Sequence, residues 1–228
     1  MLGSLKKASN FYTTYFIFLV IGVSFFLYQE NGDFVLALNG LHNIVLNYFF
    51  RVWTYGGDGV FFAVVAVWLL FTNRKYGYVF LVVGLIQGSI TFLMKQVVFV
   101  DSPRPKIFFE GQRILHYVEG VDVLSFSSFP SGHTVSAFST ACFLALMYQS
   151  KSKATLLALA AILVGISRIY LVQHFLIDIV AGSLIGVLVA TSVFIFSEGF
   201  LLKKKSSKEE NDSEIKENYS VLTLPKEE

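Results

Sequence analysis

The feature that most constrains this chain is the recurrence of long apolar runs. A bilayer's hydrocarbon core, about 30 Å thick, needs roughly 20 helical residues per crossing. Six segments reach or approach that length: 11–29, 57–72, 77–98, 133–149, 153–171 and 175–202. In lipid a backbone must satisfy its own hydrogen bonds, and a helix does so within one segment. The runs therefore predict an all-α membrane protein. Composition agrees, with 54% hydrophobic and 16% aromatic residues and a mean hydropathy of +0.62, beyond the ~45–50% apolar content of a soluble domain.

The first run follows Lys6 and Lys7, as a secretory signal would. It is long, lacks a small-residue cleavage site and precedes further spans, so it reads as a retained first helix. Between the first two spans, residues 33–52 alternate apolar and polar residues at helical spacing. Asn39, Asn43 and Asn47 recur every four residues there, which predicts a short helix lying at the membrane interface.

Basic residues in short loops favour the cytoplasmic side. Lys6 and Lys7, Arg74 and Lys75, Lys151 and Lys153, and Lys203, Lys204, Lys205 and Lys208 all fall on one side of a six-span layout. The loop 99–132 then lies on the other side, where the unusual polar residues gather. Residues 203–228 are charged and lack a sustained apolar period, so they read as a disordered cytoplasmic tail. Residues 1–202 form the membrane domain, with no internal repeat. A net charge of +2 with scattered basic residues gives no stripe for nucleic acid. The single cysteine, Cys142, excludes an internal disulfide and reads as a packing residue.

Three polar clusters stand at outer span ends. The first is "KQVVFVDSPRP", with Lys95 near the end of the third span and Arg104 and Pro105 in the loop. The second is "PSGH", where Ser131 caps the fourth span and Gly132 leaves a backbone N–H free for an anion. The third is "SRIYLVQHFLID", with Ser167 and Arg168 closing the fifth span and His174 and Asp178 opening the sixth. Arg168 and His174 are six residues apart, about 240° around a continuous helix, so a turn must intervene to bring them together. His174 and Asp178 are four apart and stack on one helix face. The carboxylate can hold one ring nitrogen and leave the other free, which suits a nucleophile, a proton relay or a structural pair.

This set resembles the type 2 phosphatidic acid phosphatases, the PAP2 family of integral membrane lipid phosphatases, related in fold to vanadium haloperoxidases. Pro130-Ser131-Gly132-His133 and Ser167-Arg168 through His174 to Asp178 match two motifs in full. The third motif departs, because eight residues separate Lys95 from Arg104 where the family usually has six. The resemblance implies a PAP2/haloperoxidase-like bundle of six transmembrane helices. It also implies hydrolysis of a phosphate or pyrophosphate monoester on a membrane lipid through a phosphohistidine, without metal or cofactor. His174 would be the nucleophile, Asp178 its orienting carboxylate and His133 the general acid and base. Lys95, Arg104, Arg168, Ser131 and the Gly132 N–H would surround the phosphoryl oxygens.

His42 and His116 stand apart from these motifs and read as a headgroup-level residue and a solvated loop residue. Phe108 and Phe109 could line an acyl-chain entrance, and Trp53 and Trp68 read as lipid-facing or interfacial anchors. Four lipids suit an outward-facing site: undecaprenyl pyrophosphate, phosphatidylglycerol phosphate, phosphatidate and a lipid A phosphate. The compact layout fits a bacterial inner membrane with the site facing the periplasm or the outside. A membrane phosphotransferase passing a phosphoryl group or phospho-headgroup to a second lipid is the alternative. A transporter would more often break its spans near the midplane, and a haloperoxidase has no need of a membrane.

Overall fold

A computed structural model describes residues 2–28 and 32–222, with 201–222 as backbone only. Among the described residues all regular structure is helical. In chain order the α-helices are α1 (Leu2–Lys7), α2 (Ser9–Tyr28), α3 (Asp33–Asn39), α4 (Ile44–Trp53), α5 (Gly59–Thr72), α6 (Arg74–Leu93), α7 (Pro105–Phe108), α8 (Gly132–Tyr148), α9 (Lys151–Tyr170) and α10 (Leu176–Leu222).

By length and composition, four helices can cross a membrane: Ser9–Tyr28, Arg74–Val98, Lys151–Tyr170 and Leu176–Phe200. The segment expected at 57–72 is α5, only 14 residues long. It reaches spanning length when joined to Ile44–Gly57, from which it is bent by 52°. The segment expected at 133–149 is the 17-residue α8. The six expected runs are therefore all helical, while the number that spans unaided is smaller than six. The expected disorder of 203–228 concerns residues whose side chains are not described, and 223–228 lie outside the described residues.

The single interfacial helix expected over 33–52 is instead two. Asn43 breaks it, because its side chain accepts hydrogen bonds from the Val45 and Leu46 N–H groups at 3.1 and 3.0 Å and so caps the start of α4. The three asparagines do not share a face. Asn39 turns into the protein, Asn43 is the cap, and Asn47 accepts a hydrogen bond from the Tyr170 hydroxyl at 2.6 Å.

Burial explains why periodicity alone says little here. The central helix α8 is buried on nearly every side, from Thr134 and Val135 to Ala145 and Leu146, so it carries no polar stripe. α10 packs closely against it through Gly182 and Gly186. A Cβ at those positions would stand 2.8 Å from the Ser131 carbonyl oxygen and 2.5 Å from that of Val135. Small residues one turn apart let two membrane helices touch backbone to backbone. Large apolar side chains such as Phe16, Phe71, Leu85 and Phe196 point outward instead, as a lipid solvent permits. Partly buried polar pairs also link helices, including Tyr12 to Thr191 at 2.8 Å. Cys142 is buried beside them, 3.3 Å from the Thr191 hydroxyl, as a packing residue.

The up-and-down path gives the bundle two unlike ends. Arg74 and Lys151 begin α6 and α9 at one end, where Lys75 pairs with Glu198 at 2.7 Å and Lys153 lies over the Tyr148 ring. The opposite end receives Lys95, Ser131, Arg168 and Asp178.

Candidate active site

The site is built where helix ends meet two turns. After α9 the chain reverses over 171–175, with Gln173 and His174 donating backbone N–H bonds to the Arg168 carbonyl at 2.9 and 3.3 Å. Val172 takes φ +60° in this turn while fully buried. A β-branched residue in the left-handed region is strained, and its packing against Ile169, Phe175 and Ile179 holds it there. This is the turn that the spacing between Arg168 and His174 requires.

The turn delivers His174 to the start of α10, where its Nδ1 lies 3.2 Å from Asp178 Oδ2. The same oxygen accepts from the Phe175 N–H at 3.0 Å and the Ser128 hydroxyl at 2.5 Å. All three side chains are buried, His174 and Asp178 at 2% exposure. Burial pushes the His174 imidazole down to about 3, against the opposing pull of Asp178. Burial thus favours the neutral ring, and with Nδ1 turned to the carboxylate, Nε2 is the nitrogen left to carry a lone pair.

Ser131 caps α8 as expected: its Oγ accepts from the Thr134 N–H at 3.4 Å and from the Thr134 hydroxyl at 2.9 Å. Its own N–H donates to the Asp178 carbonyl at 3.1 Å, which ties the two helix starts together. The N–H groups of Gly132 and His133 stand in the first turn, where no carbonyl of the helix can reach them.

Three cations converge on this end. Arg168 is buried, its Nη1 donates to the Thr54 hydroxyl at 2.7 Å, and its Nε has no partner among the described residues. A buried guanidinium N–H without an acceptor is costly, and an anion would supply one. Arg104 is also buried and donates from Nε to the Phe126 carbonyl at 2.9 Å and from Nη1 to the carbonyl and side-chain oxygens of Gln173 at 3.0 and 3.1 Å. Burial lowers its affinity for a proton while the charge of Asp178 opposes that fall.

Lys95 sits in a π-helical turn, Met94–Val98, closed by the Phe99 N–H on the Met94 carbonyl at 2.8 Å. Such a turn holds more residues than an α turn, which takes up part of the longer spacing to Arg104. The Lys95 ammonium donates to the carbonyls of Ser127 and Ser128 at 2.6 and 3.4 Å, and its Cε lies beside Gly132. The departure in spacing thus leaves Lys95 next to the capped helix start. A cleft of about 680 Å³ opens from Lys95, Gly132 and His133 along Thr91, Gly88 and Gly84, between α5, α6 and α8.

The structure brings together all eight sequence-expected residues. It adds four that no motif announced: Ser128 on Asp178, Thr54 on Arg168, Gln173 on Arg104, and Asp58, whose Oδ2 lies 3.8 Å from His133 Nε2. Ser128 alone left a local signal, as a hydroxyl two residues before Pro130. His116 is no isolated loop residue: its ring stacks on His42 with centroids 3.8 Å apart, and its backbone is clipped to the Asn39 side chain by bonds of 2.7 and 2.9 Å. Phe109 is buried against Val35 and Leu115, whereas Phe108 packs edge-on to it and to Phe175 and remains 36% exposed. Trp53 is half-buried and donates to the Ala160 carbonyl at 3.2 Å.

The PAP2 superfamily model matches residues 74–200, which contain every one of the motif residues, and the chain belongs to that family. It is similar to the lipid A 4'-phosphatase of Porphyromonas gingivalis, 24% identical over 74% of this chain and 73% of the relative. The structure of LpxE from Aquifex aeolicus superposes with a TM-score of 0.61 at 25% identity, covering 73% of this chain and 96% of the other. A transmembrane PAP2-type phosphatidylglycerolphosphate phosphatase from Bacillus subtilis shares the fold, with a TM-score of 0.56 at 23% identity over 83% and 96% of the two chains. The chain is an integral membrane protein of all-α architecture.

Proposed function

We propose that this enzyme, a membrane lipid phosphatase of the PAP2 type, hydrolyses a phosphate ester on a lipid headgroup through a phosphohistidine on His174. One observation carries the mechanism: the buried His174 ring is held at Nδ1 by Asp178, and within its electrostatic reach the buried Arg168 has an Nε without a partner among the described residues. In this reading Arg168, Arg104, Lys95, Ser131 and the Gly132 N–H bind the phosphoryl oxygens and stabilise their charge in the transition state. The apolar side of the cleft, through Phe92, Leu85 and Phe62, gives a lipid chain a path along the bundle.

The reaction has two balanced steps. First, His174 Nε2 bonds to phosphorus as the bond to the lipid oxygen breaks, and that oxygen takes a proton from His133. Second, a water oxygen bonds to phosphorus, gives its proton to His133, and the P–N bond breaks to return the electron pair to His174. Three cations supply the charge that a metal ion supplies elsewhere, so the mechanism needs no metal. In this reading catalysis faces the outside or the periplasm of a bacterial inner membrane, supported by the basic residues Arg74, Lys75, Lys151 and Lys153 at the opposite end of the bundle.

Phosphate release from purified protein in detergent, with excess EDTA, tests the reading across undecaprenyl pyrophosphate, phosphatidylglycerol phosphate, phosphatidate and lipid A. Release from at least one with EDTA present, blocked by vanadate, is the expected result. Strict dependence on added Mg²⁺ after chelation would overturn the metal-free mechanism. For the topology, cysteines at Gln112 and Ser152, with Cys142→Ser, should be labelled and protected respectively by an impermeant thiol reagent on intact cells. The reverse pattern would place the site in the cytoplasm.

A further inference from the structure

The site holds a second histidine–carboxylate pair, whose carboxylate lies outside every motif. Asp58 caps the start of α5, its Oδ1 accepting the Val60 N–H at 2.7 Å. That bond fixes the carboxylate, and its Oδ2 stands 3.8 Å from His133 Nε2. The backbones are in contact as well, since a Cβ on the preceding Gly57 would collide with the His133 carbonyl oxygen. The two helix starts are therefore packed backbone to backbone. The His133 and Asp58 side chains are 31% and 35% exposed.

We infer that Asp58 is the positioning and charge partner of His133, holding its imidazolium form in place for proton transfer to the leaving oxygen. The inference rests on the acid–base reading of His133 given above. As an acid, His133 must carry a proton against its own burial and within electrostatic reach of Arg168, Arg104 and Lys95. Each of these opposes a further positive charge, and an anion a few ångströms away offsets them. Asp178 already accepts from His174, Ser128 and Phe175. Asp58 is the carboxylate paired with His133 itself.

At 3.8 Å the contact is an ion-pair distance rather than a hydrogen bond. Catalytic hydrogen bonds are often long in unliganded enzymes and tighten with substrate. With Nε2 turned to Asp58, Nδ1 is the nitrogen left for the substrate. It gives its proton to the lipid oxygen in the first step and takes one from water in the second. Asp58 exchanges no atom in either step. It stabilises the charged ring before the first step and after the second.

The consequence is a dependence on the leaving group. An alkyl phosphate expels a strongly basic oxygen and needs the acid; a 4-nitrophenyl phosphate expels a weakly basic one and scarcely does. kcat/KM for both substrates isolates the phosphorylation step, because hydrolysis of the phosphoenzyme follows it. Asp58→Asn and Asp58→Ser remove the charge and keep a good helix cap. The measurement is the ratio of kcat/KM for dioctanoyl phosphatidate to that for 4-nitrophenyl phosphate, with His133→Ala as the benchmark. The ratio should fall about tenfold or more in both Asp58 variants and further in His133→Ala, within the range of general acid catalysis. An unchanged ratio in the Asp58 variants beside a fallen one in His133→Ala overturns the role of Asp58, as does an equal loss on both substrates. An unchanged ratio in His133→Ala overturns the acid role on which the inference rests, and the inference with it.

Discussion

His174 and His133 stand at the same end of the bundle, but their surroundings differ in almost every respect. His174 is 2% exposed, and its partner carboxylate is held by two further donors, the Ser128 hydroxyl and the Phe175 N–H. His133 has 31% of its side chain exposed, lines an open cleft, and meets a carboxylate across 3.8 Å. The contrast suits the roles proposed for the two rings. A nucleophile needs one nitrogen locked so that the other is neutral and aimed, which burial and a tight network provide. An acid and base must exchange protons with water between turnovers, which burial would prevent. In the proposed mechanism the same residue type would serve two roles, in the two surroundings that tertiary structure gives it.

The strongest way to break the comparison is to remove the buried ring. His174→Ala should lower turnover by about 10³-fold or more, and a trapped acid-labile phosphoenzyme should disappear while thermal unfolding in detergent stays cooperative. Next comes the guanidinium that both histidines share. Arg168→Lys should cost about 10²-fold in kcat/KM for phosphate release, because an ammonium cannot reproduce bidentate contact or reach the Thr54 hydroxyl at the same time.

Ser128→Ala sharpens the contrast from the tight side. It deletes one donor to Asp178 and should reduce kcat about tenfold, the equivalent of a hydrogen bond to a charged group, with little change in KM. The smallest effect is expected away from both rings. Thr140 has a buried hydroxyl without a partner among the described residues, facing an apolar cavity beside Trp53 and Leu157. Thr140→Val removes that hydroxyl at constant shape and should raise the unfolding temperature by a few degrees, equivalent to about 1 kcal/mol, with activity unchanged. A fall in activity there would show that the apolar interior and the site are coupled.

What could be read from the chain depended on how far apart the interacting residues lie. The apolar runs gave helices because lipid leaves the backbone no alternative. The four-residue step from His174 to Asp178 gave their contact because a helix imposes it, and Ser131 read correctly as a cap for the same local reason. The interfacial segment was misread as one helix, since Asn43 serves as a cap where its spacing suggested a shared face. The expected runs at 57–72 and 133–149 are helices α5 and α8, but at 14 and 17 residues each falls short of a full crossing by itself.

The residues that the sequence determined by itself are those whose neighbours are neighbours in the chain. Asp58, Thr54 and Gln173 reach His133, Arg168 and Arg104 across separations of 75, 114 and 69 residues, and no local rule connects them. Only the packing of separate segments decides those distances, as where Gly57 stands against the start of α8 beside Asp58 and His133. The physical reason is that a helix fixes geometry over a few residues, whereas the approach of two helices is set by which side chains are small enough to let their backbones touch.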